Sequence, residues 1–174
     1  MRLIASYGAA SIIKKKEPMM NALVFRKLRN EDIAEFVEMR KLQLLEEGAL
    51  PTTDLTEPLR DYFRHALEND RFVSWIALDD GKIVATSGMS FSRRPPYYSN
   101  PTGFVGTLSC MHTLMPYRRK GIASKLLDAV VKEAKQRHCG KVTITASAMG
   151  KYLYKSYGFK PKDNYLDYDL TTND

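Results

Sequence analysis

Hydrophobic and polar positions change their period several times along the chain, and each change marks an element. LVFRKLR (Leu23–Arg29) alternates as a first strand does. Asn30, ahead of Glu31 and Asp32, has the form of a helix N-cap with acids in the first turn. Ile33, Phe36, Val37, Arg40 and Leu44 follow at helical spacing, and Gly48 and Pro51 end that helix. A second helix is expected over Thr56–Leu67, with Pro58 near its start. FVSWIAL (Phe72–Leu78) and KIVATSGMSF (Lys82–Phe91) are rich in strand formers, and Asp79-Asp80-Gly81 between them is a hairpin turn. Ser92–Gly103 is a loop by its Pro, Ser and Asn content, and Phe104–Leu114 is the next strand. Ile122, Leu126, Ala129, Val130 and Ala134 then share one helical face, in a helix expected to end at Gly140. Lys141–Ala146 alternates as a strand, Met149–Phe159 forms a short helix capped by Gly158, and Tyr165–Leu170 forms a last strand. The order is β-α-α-β-β-β-α-β-α-β. The β-α-β unit over residues 104–146 requires a parallel pair, and the hairpin before it is antiparallel. A mixed α/β (α+β) fold follows, with helices packed on a central mixed sheet.

Composition narrows this picture without changing it. The 174 residues suit one domain, and the 44% hydrophobic and 27% charged content is that of a globular protein. No apolar run approaches the roughly 18 residues of a membrane span, so a membrane partner is not expected. Cys110 and Cys139 make neither a disulfide framework nor a zinc spacing, which favours a cytoplasmic location and no metal. Net charge is +7, but Arg2, Lys14, Lys15 and Lys16 against Glu17 place +3 of it in the first 19 residues. The remaining +4 is modest for a nucleic-acid binder and suits a protein that handles one polyanionic small molecule. Residues 1–20 differ from the rest and lack the order of a secretory signal, so they are expected to be a flexible extension. Residues 21–174 form the single domain.

The sharpest local feature is YRRKGIASKLL (Tyr117–Leu127), where three cations and a glycine stand just before a helix. The first N–H groups of a helix have no helical partners, and the helix dipole adds partial positive charge, so an anion is favoured there. Gly121 lets the backbone approach a bulky group, Ala123 keeps the next turn small, and Ser124 offers a hydroxyl. The side chains of Arg118, Arg119 and Lys120 are expected to pair with phosphates at the rim. A Walker loop and a dinucleotide fingerprint are both absent.

Arg118-x-x-Gly121-x-Ala123 resembles the pyrophosphate loop of the GNAT N-acetyltransferase superfamily, within a similar strand-loop-helix segment, TLMPYRRKGIASKLLDAVVKEAK. LYKSYGF (Leu153–Phe159) resembles a second segment of that family at the right distance downstream, and the element order agrees from residue 23 to about 170. The resemblance implies that acetyl-CoA is the co-substrate, held in a cleft where the Phe104–Leu114 and Lys141–Ala146 strands splay apart. The Arg118–Ser124 loop, Ile122 included, would hold the pyrophosphate. The pantetheine arm would lie along Met111 and Thr113 like an added strand, with Ser147 as a further contact where many relatives carry asparagine. Gly150 stands where alanine is usual. Tyr154 aligns with the tyrosine that protonates the departing thiolate. A phenol of pKa about 10 is a reasonable donor to a thiolate of about 8.5.

The general base is not legible, because GTLSCMHT contains no acid. His112 is one candidate by its ordinary pKa, placed by strand parity on the face of Cys110 and opposite Met111 and Thr113. Glu46 and Glu47, at the end of the first helix, are others; acceptor sites of the family lie near that helix. The acceptor is expected to be a primary amine of a small molecule or peptide, and a homodimer is common among such proteins. Arg93, Arg94, Tyr97 and Tyr98 on the Ser92–Gly103 loop are possible acceptor contacts. The competing expectation is a member of the fold that binds acetyl-CoA as a sensor or scaffold without turnover.

Overall fold

The computed structural model describes residues 22–162, 166–168 and 170. The elements are β1 (Val24–Lys27), α1 (Ile33–Glu46), α2 (Thr56–Glu68), β2 (Phe72–Val73), β3 (Trp75–Asp79), β4 (Lys82–Arg93), β5 (Phe104–Thr113), α3 (Ile122–Gln136), β6 (Lys141–Thr143) and α4 (Lys151–Tyr157). The strands form one mixed sheet in the order β1-β3-β4-β5-β6, with β2 also on β4. Among the described residues only β5 and β6, joined through α3, are parallel. α1 and α2 cover one face, where Phe36 meets Phe63 edge-on at 4.8 Å and packs with Phe72, Ile76 and Cys110. α3 and α4 cover the other, where Leu127, Val130 and Tyr154 pack with Met89 and Leu108. Each layer buries an apolar face that water would otherwise wet, which is the main drive for this arrangement.

Several boundaries differ from those expected, each for a local reason. Asn30 does not cap α1: it opens a 3-10 turn (Asn30–Asp32). The Asp32 carboxylate accepts the Arg29 N–H at 2.8 Å and is itself clamped by Arg26 at 2.6 and 2.8 Å. The single strand expected over Phe72–Leu78 breaks at Ser74 into β2 and β3. α3 stops at Gln136, before Gly140. His138 takes the left-handed conformation (φ 56°) there, and the Cys139 N–H closes the helix onto Ala134 O at 2.9 Å. Gly48 and Gly158 close α1 and α4 as the sequence implied. The strand expected over Tyr165–Leu170 lies partly outside the described residues, and Leu166–Tyr168 are not in a strand. The extension over residues 1–20 lies outside them as well.

Two irregularities at the middle of the sheet create the site. β6 ends at Thr143, short of the expected Ala146, and its pairing with β5 stops at Thr107–Thr143. The β5 edge from Leu108 to Thr113 therefore has no strand partner on that side among the described residues. A β-bulge in β5 falls in the same stretch. Thr86 opposes His112 and Gly88 opposes Ser109, so Cys110 and Met111 together face Ser87. Cys110 is left-handed (φ 52°), its carbonyl is held by the Thr86 hydroxyl at 2.8 Å, and Gly88 leaves it room. The bulge shifts the pleat. Leu108 packs under α3, whereas Cys110, two residues on, packs under α1 and α2.

Candidate active site

The loop before α3 has the backbone of an anion cradle. Arg119 (φ 62°) and Gly121 (φ 77°) are both left-handed, so the chain turns sharply into the helix. The first helical bond runs from Lys125 N–H to Gly121 O at 3.1 Å. The N–H groups of Ile122, Ala123 and Ser124 precede it and lie at the positive end of the dipole. A Cβ built on Gly121 would meet nothing within 4 Å, so the space beside it is open to a ligand. These features fit a pyrophosphate. The side chains behave less simply than expected. Arg118 turns inward: its Nε donates to Thr113 O at 2.7 Å, and its guanidinium pairs with Glu46. It is a strut across the cleft, not a cation at the rim. Arg119 is exposed, and Lys120 lies over the Tyr117 ring at 5.8 Å.

Across the gap left by β6, Tyr154 on α4 is buried against Phe159. Burial and the charge of Glu47 push its phenol up to about 12. It therefore stays protonated throughout the neutral range, and it is a weaker acid than an ordinary tyrosine. Gly150 explains the ring's place. A Cβ there would stand 2.7 Å from Tyr154 Cε2 and 3.4 Å from Ser147 Oγ. Glycine at this position leaves the space that the ring occupies.

The third wall is the last turn of α1. Glu46 and Glu47 stand at the negative end of that helix, with no basic residue in its last turn. Acids there oppose the dipole at a cost of about 0.3–1 kcal/mol each. Glu46 is offset by Arg118. Glu47 accepts a hydrogen bond from the Gln43 amide at 3.0 Å. It is also the carboxylate whose charge reaches Tyr154, His112 and Cys110. His112 is buried on the same side, with Nε2 unpartnered. Burial holds its imidazole below the ordinary 6.5, with Glu46 opposing that shift and Arg118 adding to it.

These three walls bound one cleft of about 420 Å³. The acetyltransferase (GNAT) family model matches residues 36–159, which include all three. The chain belongs to the GNAT acetyltransferase family. A predicted acetyltransferase of Clostridium acetobutylicum, solved with acetyl-CoA, is 39% identical, with TM-score 0.83 over 86% of this chain and 97% of that one. A GCN5-related N-acetyltransferase of Ralstonia eutropha JMP134, at 22% identity and TM-score 0.78, covers 85% of this chain and 99% of that one, and shares the fold. The uncharacterized N-acetyltransferase YsnE of Bacillus subtilis (strain 168) is 28% identical over 73 residues. That match covers 39% of this chain and 48% of the relative.

The GNAT fold gathers nearly all the expected residues. Met111, Thr113, Arg118, Arg119 and Gly121 line the cleft, as do Ile122, Ala123 and Ser124. Ser147 and Tyr154 line it from α4's side, and Glu47 and His112 from α1's side. Lys120 does not. Arg93, Arg94, Tyr97 and Tyr98 do not either, because their loop joins β5 at the opposite end from Met111 and Thr113. Buried Asn100 braces that loop, donating to Phe104 O at 3.1 Å. Gln43 lines the cleft and was missed by sequence reasoning. A signal existed: Arg40, Gln43 and Glu47 continue the Phe36 stripe at helical spacing, so the buried face of α1 turns polar over its last turns. No group of three His, Cys, Asp or Glu able to hold a metal ion occurs among the described residues. No helix among them is long and apolar enough to cross a membrane.

Proposed function

We propose that this protein transfers the acetyl group of acetyl-CoA to a primary amine of a small molecule or peptide, by direct attack in a ternary complex. The observation that carries this reading is the convergence, in one cleft, of a helix-start anion cradle, an unpartnered strand edge and a neutral phenol. Acetyl-CoA in the cleft supplies a thioester, from which an attacking amine takes the acetyl carbon while the thiolate leaves. The Gly121–Ser124 backbone binds the pyrophosphate, and Arg119 adds charge at the rim. The free edge of β5 near Met111 and Thr113 pairs with the amides of the extended arm, with Ser147 as a further contact.

Tyr154 donates its phenolic proton toward the sulfur. At pKa about 12 it acts as a hydrogen-bond donor to the charge developing on sulfur, and the departing thiolate takes its proton from water. Glu47 holds the acceptor ammonium and passes its proton to water. His112 is the weaker candidate for this task, because its Nε2 is buried without a hydrogen-bond partner and burial lowers its hold on a proton. The unpaired cysteines support work in the reducing cytoplasm.

Free-thiol release from acetyl-CoA across an amine panel tests the proposal, with Tyr154→Phe as control and thermal shift as the binding readout. Turnover with at least one amine, reduced in the variant, is expected. Stabilisation by acetyl-CoA with no thiol release on any amine would favour the sensor or scaffold reading. No stabilisation at millimolar acetyl-CoA would overturn both.

A further inference from the structure

The buried amide of Gln43 has a partner on each side. Its Oε1 accepts from Arg40 Nη1 at 3.0 Å, and its Nε2 donates to Glu47 Oε1 at 3.0 Å. The two partners fix its orientation. A guanidinium has only donors, and an ionised carboxylate has only acceptors. One setting of the amide satisfies both, and the flipped setting satisfies neither. Gln43 is 6% exposed, so little of the amide meets water. Arg40 and Gln43 sit on α1 and Glu47 is its C-cap, at spacings of three and four, so the helix itself keeps them in line.

We infer that Gln43 is a positioning residue. It transmits the orientation set by Arg40 to the Glu47 carboxylate and holds that carboxylate toward the acceptor amine. The inference rests on the reading of Glu47 as the group that receives the acceptor. Glu46, beside it on the helix, is already tied to Arg118, whereas Glu47 has only a neutral partner among the described residues. Its charge is therefore the one left for an incoming cation. An untethered side chain at a helix end samples several rotamers, and the hydrogen bond from Gln43 removes that freedom before the amine arrives. The charged and titratable groups around Glu47 are Arg40 and Glu46 on α1, Cys110 and His112 on β5, Arg118 on the loop, and Tyr154 on α4.

The test uses the full chain, acetyl-CoA and the best amine of the panel. Gln43→Met keeps the volume and removes both hydrogen bonds. It should lower kcat/KM for the amine about tenfold, while KM for acetyl-CoA changes less than about twofold. Gln43→Glu keeps the contact with Arg40 but sets a second carboxylate beside Glu47. It should move the acidic limb of the amine kcat/KM profile upward by about one pH unit. In a Glu47→Gln background, neither change should have further effect. A full tenfold loss persisting in that background would make Gln43 merely structural and overturn the inference. So would an unshifted acidic limb in Gln43→Glu, the variant that decides if Gln43→Met fails to fold. If Glu47→Gln itself leaves amine kinetics unchanged, the underlying reading of Glu47 fails instead, and the inference falls with it.

Discussion

The start of α3 and the end of α1 meet at the Arg118–Glu46 pair, and they line one cleft with opposite materials. The α3 side is made of backbone: left-handed Arg119 and Gly121, then three N–H groups at the positive end of a helix. The α1 side is made of side chains: Gln43, Glu46 and Glu47, at the negative end of a helix. One side suits a polyanion and the other a cation. The contrast teaches that a backbone site is set by a few conformational demands and tolerates varied side chains. A side-chain site depends on each residue and its neighbours.

Substitutions sharpen this contrast. The largest effect is expected from Gly121→Val. A β-branched residue at φ 77° is strained, and its side chain enters the open space of the cradle. Calorimetric Kd for acetyl-CoA should rise by roughly 100-fold or more, equivalent to about 2.7 kcal/mol. An unchanged Kd would mean that the cradle is not the pyrophosphate site. Tyr154→Phe comes next, with kcat lowered about 10² to 10⁴-fold and acetyl-CoA affinity retained. Because the phenol lies at about 12, wild-type kcat should not fall as pH passes 10; a fall there would place the phenol at its ordinary value. Gly150→Ala forces the Tyr154 ring to shift, at a cost of about 1–3 kcal/mol in stability, and kcat should drop with it. Unchanged denaturant midpoint and kcat would show that the ring has room.

Smaller effects follow from charges. Arg119→Ala should weaken acetyl-CoA binding only a few-fold, and the difference should fade at high salt, since the side chain is exposed. A loss as large as that of Gly121→Val would reverse the ranking of backbone over side chain. The smallest effect concerns His112. Its folded pKa lies below 6.5, so the unfolded chain takes up the proton first as pH falls through that value. Stability should be constant above it and decline from about 6.5 down to the folded pKa. Melting temperature across pH 5–8, compared with His112→Gln, reads this as at most a few degrees.

Sequence reasoning anticipated the backbone of the α3 side. Glycine before an apolar-periodic helix has local causes, and those causes persist in the fold. It misjudged Arg118, whose inward turn depends on Glu46, 72 residues earlier in the chain. It missed Gln43, because its burial is imposed by neighbouring elements and not by its own polarity. It placed His112 with Cys110 correctly, although the bulge at Cys110 breaks the alternation with Leu108. That bulge depends on Gly88, Thr86 and the packing of Phe72, none of which is adjacent in the chain.

The sequence by itself determined the order of elements from β1 to α4 apart from the break at Ser74, the hairpin at Asp80–Gly81, the glycine closures of α1 and α4, and the glycine that opens α3. All rest on backbone preferences acting over a few residues. Only the tertiary structure decided where β6 leaves β5, which ends the strand pairing and opens the cleft. Only it brought Glu46 against Arg118 and buried Gln43 between Arg40 and Glu47. Those features arise from packing between distant segments, where burial and charge pairing are fixed by the sheet and not by local propensity.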